Sequence, residues 1–276
     1  MMQGKASFLL RLCLPIIVAL SLLLALAPSA FAATQPAIVG PKANYLATGD
    51  SLAFGYQPNL DWVHGYANDL DTNFQSHGES DYDNYGCLGE TSTTFIQGGC
   101  PHPFIKKTVY SGPQLAAVLK DIKAHAGQVS PVTLDIGAND LLPDINSTNC
   151  TVSANWNTHL ATLDNNLTRI ILPQLVAALT VNGQRTGDLL LMGYYDPYQN
   201  ICPNSVPFVQ QLNQHLQADA SGFAIFVDVF TPFGGAATPN PNICNYTWIC
   251  SSYKDIHARA QGYSVVASAF ERAVGY

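Results

Sequence analysis

A serine hydroxyl becomes a useful nucleophile when a base stands within reach and hydrogen-bond donors face the oxyanion that its attack creates. The sequence offers residues of all three kinds. Ser51 sits in Gly49-Asp50-Ser51-Leu52, after an apolar run and before a helical one, where its own backbone N–H can face a reacting carbonyl. Gly89 has no side chain to keep a second backbone N–H at a distance. Asn139, in Gly137-Ala138-Asn139-Asp140, adds a side-chain amide as a third donor. His257 is the candidate base, and Asp255, two residues before it, is the candidate to orient the imidazole and stabilise its cation. Together these residue types allow acyl transfer through a serine ester.

Each motif alone is an ordinary turn, so its weight depends on the elements that carry it. β-rich runs at 44–48, 83–87, 132–136, 188–194 and 224–229 alternate with helical patterns at 62–75, 114–125, 155–179, 206–219 and 260–274. That alternation predicts a parallel, doubly wound α/β sheet, in which ligands gather at the carboxyl ends of the strands. Gly127, Gly183 and Gly222 stand where helices are expected to stop. Ser51, Gly89 and the Gly137–Asn139 turn follow three consecutive strands. Asp50 and Asp140 read as braces of their turns. Asp135 is odder, because a carboxylate in an apolar strand needs partners if it is buried.

The first 32 residues read as a secretory signal: Lys5 and Arg11 precede an apolar run that ends in Ala30-Phe31-Ala32. The run is shorter than a membrane span needs, so no stable membrane anchor is expected after cleavage, and residues 33–276 are expected to form one extracellular domain. The formal net charge of −7 becomes −9 without the two leader cations, and no basic cluster offsets it, which argues against nucleic acid as a partner. Of seven cysteines, Cys13 leaves with the signal. The even remainder, Cys87, Cys100, Cys150, Cys202, Cys244 and Cys250, suits disulfides in an exported chain, with 15 pairings open for six cysteines. No metal is expected, since no Cys-x-x-Cys occurs and His64, His77, His102, His125, His159 and His215 show no ligand spacing. Gly-x-Ser-x-Gly is absent around Ser51, where Ala53 replaces the second glycine, and phosphate-loop and dinucleotide fingerprints are missing too.

Four blocks in order, Gly49-Asp50-Ser51-Leu52-Ala53-Phe54-Gly55-Tyr56, Gly86-Cys87-Leu88-Gly89-Glu90-Thr91, Ile136-Gly137-Ala138-Asn139-Asp140 and Asp255-Ile256-His257, resemble the conserved blocks of SGNH (GDSL) hydrolases. The resemblance implies a three-layer, flavodoxin-like α/β/α sandwich with a five-stranded parallel sheet and cofactor-free hydrolysis of acyl or acetyl esters. By that match Ser51 is nucleophile and first oxyanion donor, Gly89 and Asn139 complete the hole, and His257 is the base. The family's habit, with short loops, favours pairing Cys87 with Cys100, Cys150 with Cys202 and Cys244 with Cys250.

Two departures stand out. The family pattern Asp-x-x-His would put the acid at 254, which is Lys254, so either Asp255 reaches the imidazole or a backbone carbonyl near Lys254 replaces it in a Ser/His dyad. Ala258 stands where a proline usually stiffens the loop. Aromatic residues Phe54, Tyr56, Trp62, Tyr194, Tyr195, Tyr198 and Trp248 are candidates for an acyl pocket or for the core. The expected substrate is a small-molecule or lipid ester and the expected state a monomer. A polysaccharide deacetylase, an acyltransferase or a non-catalytic lipid- or glycan-binding module on the same fold are the alternatives.

Overall fold

The computed structural model describes residues 36–276, so the expected signal lies outside the described residues. Along the chain run β1 (Asn44–Gly49), α1 (Ser51–Phe54), α2 (Tyr66–Gln75), β2 (Asp81–Asn84), α3 (Ser92–Gln97), α4 (Gln114–Ala124), β3 (Val129–Asp135) and α5 (Ala138–Leu141). There follow α6 (Trp156–Asn166), α7 (Leu172–Ala178), β4 (Leu189–Met192), α8 (Val206–Ala220), β5 (Ile225–Val227), α9 (Pro241–Tyr246) and α10 (Ala260–Val274). The five strands form one parallel sheet in the order β2-β1-β3-β4-β5. This is the flavodoxin-like strand order that the resemblance implies. No helix among the described residues is long and apolar enough to cross a membrane.

The strand order places the site. From β1 the chain steps one way to β2, and from β2 it steps back across β1 to β3 and onward. Right-handed crossovers then put α2 on one face and α4, α6–α7 and α8 on the other. The reversal opens a crevice at the carboxyl ends of β1 and β3, where Ser51 and Asn139 emerge. β1, β3 and β4 are buried along their whole lengths, which is why they read as near-continuous apolar runs.

Several boundaries differ from the sequence pattern. The second strand spans Asp81–Asn84 and ends before Gly86 and Cys87, because as an edge strand it carries Asp81 and Asp83 on its outer side and lacks an apolar signature. The first long helix begins at Tyr66: the 57–64 segment is instead a loop held by Gln57, whose Nε2 donates to the carbonyls of Asp61 (2.8 Å) and His64 (3.1 Å). Between α6 and α7 the helix widens into a π turn, Leu167–Ile171, just ahead of Pro173, which lacks the N–H that an α-helical ladder needs. Gly183 does not stop a helix; Asn182 and Gly183 form a tight turn with φ of 52° and 77° between two short strands, Thr180–Val181 and Gln184–Arg185.

All six cysteines pair as expected, Cys87–Cys100, Cys150–Cys202 and Cys244–Cys250. Converting Cys87 and Cys100 to serine is expected to cost roughly 3 kcal/mol, the chain-entropy value for a loop of this size. For a domain of this length that lowers Tm by about 6–12 °C, measurable by calorimetry. An unchanged Tm would show that the loop is held by its other contacts.

Candidate active site

Gly49 ends β1 at φ 132°, and its missing side chain is required. A Cβ there would fall 1.8 Å from Asp135 Oδ1 and 2.0 Å from the Asp135 carbonyl oxygen. Asp50 then caps α1, its Oδ1 accepting from the Leu52 N–H at 2.8 Å. Ser51 is thereby the first residue of a short helix, buried apart from its opening to the crevice. No acceptor occupies its backbone N–H among the described residues.

His257 reaches Ser51 from the opposite end of the chain. Nε2 lies 2.8 Å from Ser51 Oγ, and Nδ1 lies 2.7 Å from Asp255 Oδ1. The same Asp255 oxygen also accepts the His257 backbone N–H at 2.8 Å, so a separation of two residues suffices where the family pattern uses three. Burial opposes ionisation of Asp255, but the hydrogen bonds and charge of His257 outweigh it and hold the carboxyl below its ordinary value. The Tyr56 ring meets the imidazole edge to face at 4.6 Å.

Hydrogen bonds hold the histidine loop in place of the missing proline. The Trp248 N–H donates to the His257 carbonyl (3.0 Å), and Ala258 forms a β-bridge with Thr247. Tyr195 donates its hydroxyl proton to the Ile256 carbonyl (2.9 Å), while the Arg259 guanidinium lies over the Trp248 ring. The Cys244–Cys250 bridge closes the segment on which Thr247 and Trp248 sit.

Gly89, at φ 80°, lies between Cys87 and Cys100 along the chain, with Pro101 about as close as a Cβ would allow. Its backbone N–H also has no acceptor among the described residues. Asn139 Nδ2 donates to the Glu90 carbonyl at 3.0 Å, which fixes the amide plane and leaves its second N–H available. Ser51, Gly89, Asn139, Asp255 and His257 all line one cavity of about 390 Å³.

Several residues that shape this cavity carried no signal in the sequence. Gln114 clamps the site from α4: its Oε1 accepts from the Gly49 N–H (2.7 Å), and its Nε2 donates to the Gly49 carbonyl (2.9 Å) and to Glu90 Oε2 (3.0 Å). Glu90 is buried, and burial raises its carboxyl. Asp140, by contrast, is expected as a brace of its turn, and it holds the Asn139 turn against α3 by accepting from the Ser92 N–H and hydroxyl. His102 lines the cavity although its spacing singled it out for nothing. Of the aromatic candidates, Tyr56, Tyr194 and Tyr195 line the cavity, whereas Phe54 packs on Trp62, Trp248 on Tyr253 and Tyr198 against the core. The one cluster of potential metal ligands among the described residues, Cys87, Glu90 and Cys100, has both sulfurs in a disulfide.

Solved structures share this fold. An acetylxylan esterase, Axe2, from Geobacillus stearothermophilus is similar with TM-score 0.53 and 16% identity, over 87% of this chain and 97% of its own. An extracellular lipase from Streptomyces rimosus gives 0.53 and 16%, over 84% and 99%. The lipase Lip_vut3 from a goat rumen metagenome gives 0.56 and 14%, over 83% and 96%. No curated protein matches the sequence. The model of the GDSL-like lipase/acylhydrolase family matches residues 47–265, from the strand before Ser51 to the helix after His257. The chain therefore belongs to the GDSL-like lipase/acylhydrolase family.

Proposed function

We propose that the protein is a secreted, monomeric serine esterase that cleaves carboxylic esters with an apolar acyl group through an acyl-enzyme intermediate. The observation that carries this reading is the chain of contacts Asp255 Oδ1–His257 Nδ1 (2.7 Å) and His257 Nε2–Ser51 Oγ (2.8 Å), opening into a largely apolar cavity. Ser51 Oγ attacks the ester carbonyl while His257 Nε2 takes its proton. The oxyanion that forms is met by the backbone N–H groups of Ser51 and Gly89 and the free amide N–H of Asn139. His257 returns the proton to the departing alcohol, and water then repeats the sequence in reverse to release the acid. Three disulfides support an oxidising destination outside the cell.

The acyl preference follows from the cavity. Leu52, Leu88, Leu142, Val209, Leu212 and Ile256 line it, with Val209 and Leu212 three residues apart on one face of α8. At roughly 30 Å³ per heavy atom, the share of a water molecule in the liquid, 390 Å³ holds on the order of ten non-hydrogen atoms. An acetyl group would leave most of it unfilled. Across p-nitrophenyl esters of increasing chain length, kcat/KM is expected to rise about fourfold per methylene, the equivalent of 0.8 kcal/mol each, and to level off near the octanoyl ester. Val209→Trp should move that plateau to shorter chains. A maximum at acetate, with better turnover of acetylated xylan, would reverse the preference. A mature protein that neither cleaves these esters nor labels at Ser51 with a fluorophosphonate would be a binding module.

A further inference from the structure

Asp135, the last residue of β3, has a completely buried side chain directly beside the turn that carries Ser51. The Asp50 backbone N–H donates to both its carbonyl oxygen (3.1 Å) and its Oδ1 (3.0 Å). Its Oδ2 has no hydrogen-bond partner among the described residues. The charged group acting on it is the Asp50 carboxyl, itself buried. Around the pair stand buried tyrosines of several elements: Tyr45 of β1, Tyr66 of α2, Tyr194 and Tyr195 beyond β4, and Tyr263 of α10. His257 and Asp140 face Asp50 from the crevice side, and neither carboxyl counts a lysine or arginine among the groups acting on it.

Two neighbouring carboxylates without a cation cannot both hold a charge out of water at neutral pH. The donors decide which one keeps it. Asp50 has a donor on each oxygen, the Leu52 N–H (2.8 Å) and the Tyr194 hydroxyl (3.1 Å), whereas Asp135 has only backbone N–H groups acting on it and its Oδ2 has no partner among the described residues.

We propose that Asp135 is a neutral carboxylic acid at neutral pH, a positioning residue that lets Asp50 stay ionised and hold the Ser51 turn, and that its ionisation in alkaline solution displaces that turn. Burial raises both carboxyls, Asp50 to about 6 and Asp135 well above its ordinary value. The consequence for activity rests on the reading of Ser51 as nucleophile; the protonation of Asp135 does not.

Infrared spectroscopy of the folded protein tests the protonation alone. With ¹³C-aspartate labelling, which sets aside Glu79, a carboxyl that burial raises to about 7, a carboxylic-acid stretch should shift with the label at about pH 8, above the values of Asp50 (about 6) and Asp219 (about 7). It should vanish in Asp135→Asn. Absence of an aspartic-acid band in the wild type at that pH would overturn the proposal, whether or not the variant folds. Asp135→Asn, close to isosteric and incapable of ionising, is expected to keep kcat/KM within about tenfold at neutral pH and to carry its alkaline limb upward by at least about one pH unit. A limb at the same pH would overturn the positioning role. A carboxyl raised by folding contributes stability that is lost as pH rises through its folded value. The Tm of the wild type should therefore fall relative to Asp135→Asn as pH rises above the ordinary carboxylate range. Parallel curves would count against the proposal. If Ser51→Ala were to retain activity, the infrared band would still decide the state of Asp135.

Discussion

Ser51→Ala is expected to lower kcat for ester hydrolysis by on the order of 10⁶-fold, the size seen when a serine hydrolase loses a nucleophile that acts as one unit with its base. The substitution removes one buried oxygen and one contact, Ser51 Oγ to His257 Nε2, and leaves the Asp50 cap of α1 intact. Folding should therefore be preserved, with KM little changed because Leu52, Leu142, Val209 and Leu212 still line the cavity. A residual acceleration of about 10³–10⁴-fold over water is expected from the donors of Ser51, Gly89 and Asn139, which do not need the hydroxyl. Single-turnover measurements with a p-nitrophenyl ester, with fluorophosphonate labelling as a second readout, check this. Hydrolysis within tenfold of the wild type would assign the nucleophile elsewhere.

Asp255→Asn carries the second large effect, a fall in kcat of up to about 10⁴-fold at neutral pH. One Asp255 oxygen accepts from both the His257 backbone N–H and its Nδ1. An amide can turn its NH₂ toward Nδ1, which would place the ring proton on Nε2 and leave that nitrogen unable to accept from Ser51 Oγ. The charge that balances the imidazolium is lost as well. If a carbonyl near Lys254 oriented the ring instead, the same variant would lose less than about tenfold, so the experiment separates triad from dyad. Stability gives a second readout with a definite sign. The folded carboxyl of Asp255 lies below its ordinary value because His257 favours the ionised form. It therefore contributes stability at neutral pH that is lost as pH falls through the folded value. Asp255→Asn should remove that contribution at neutral pH, so the two proteins should draw closer in Tm as the solution becomes strongly acidic.

The regular elements were legible where burial writes itself into the sequence. β1, β3 and β4 are buried on both faces, and α10 was located to the residue at both ends. The edge strand is displaced because Asp81 and Asp83 carry no apolar pattern, and the helix expected from 62 begins only at Tyr66 because Trp62 and Val63 imitate a first turn. The Asn182-Gly183 turn was available in principle, since that dipeptide favours positive φ, but Gly183 reads equally well as the stop of the 155–179 helix.

The site divides in the same way. Ser51, Gly89, Asn139 and His257 announce themselves through short motifs whose backbone geometry is local. The sequence alone therefore singled out these candidates and the strand ends on which they emerge. Only the tertiary structure decided that Asp255 reaches His257, that Gln114 and Glu90 clamp the turns, and that Asp135 is sealed against Asp50. Those pairings depend on a left-handed Lys254 at φ 51°, on the register of β1 against β3 and on helices brought in from far along the chain. A carboxylate or amide looks the same in sequence whether it faces water or a buried donor, so its partner is fixed by packing and not by its neighbours in the chain.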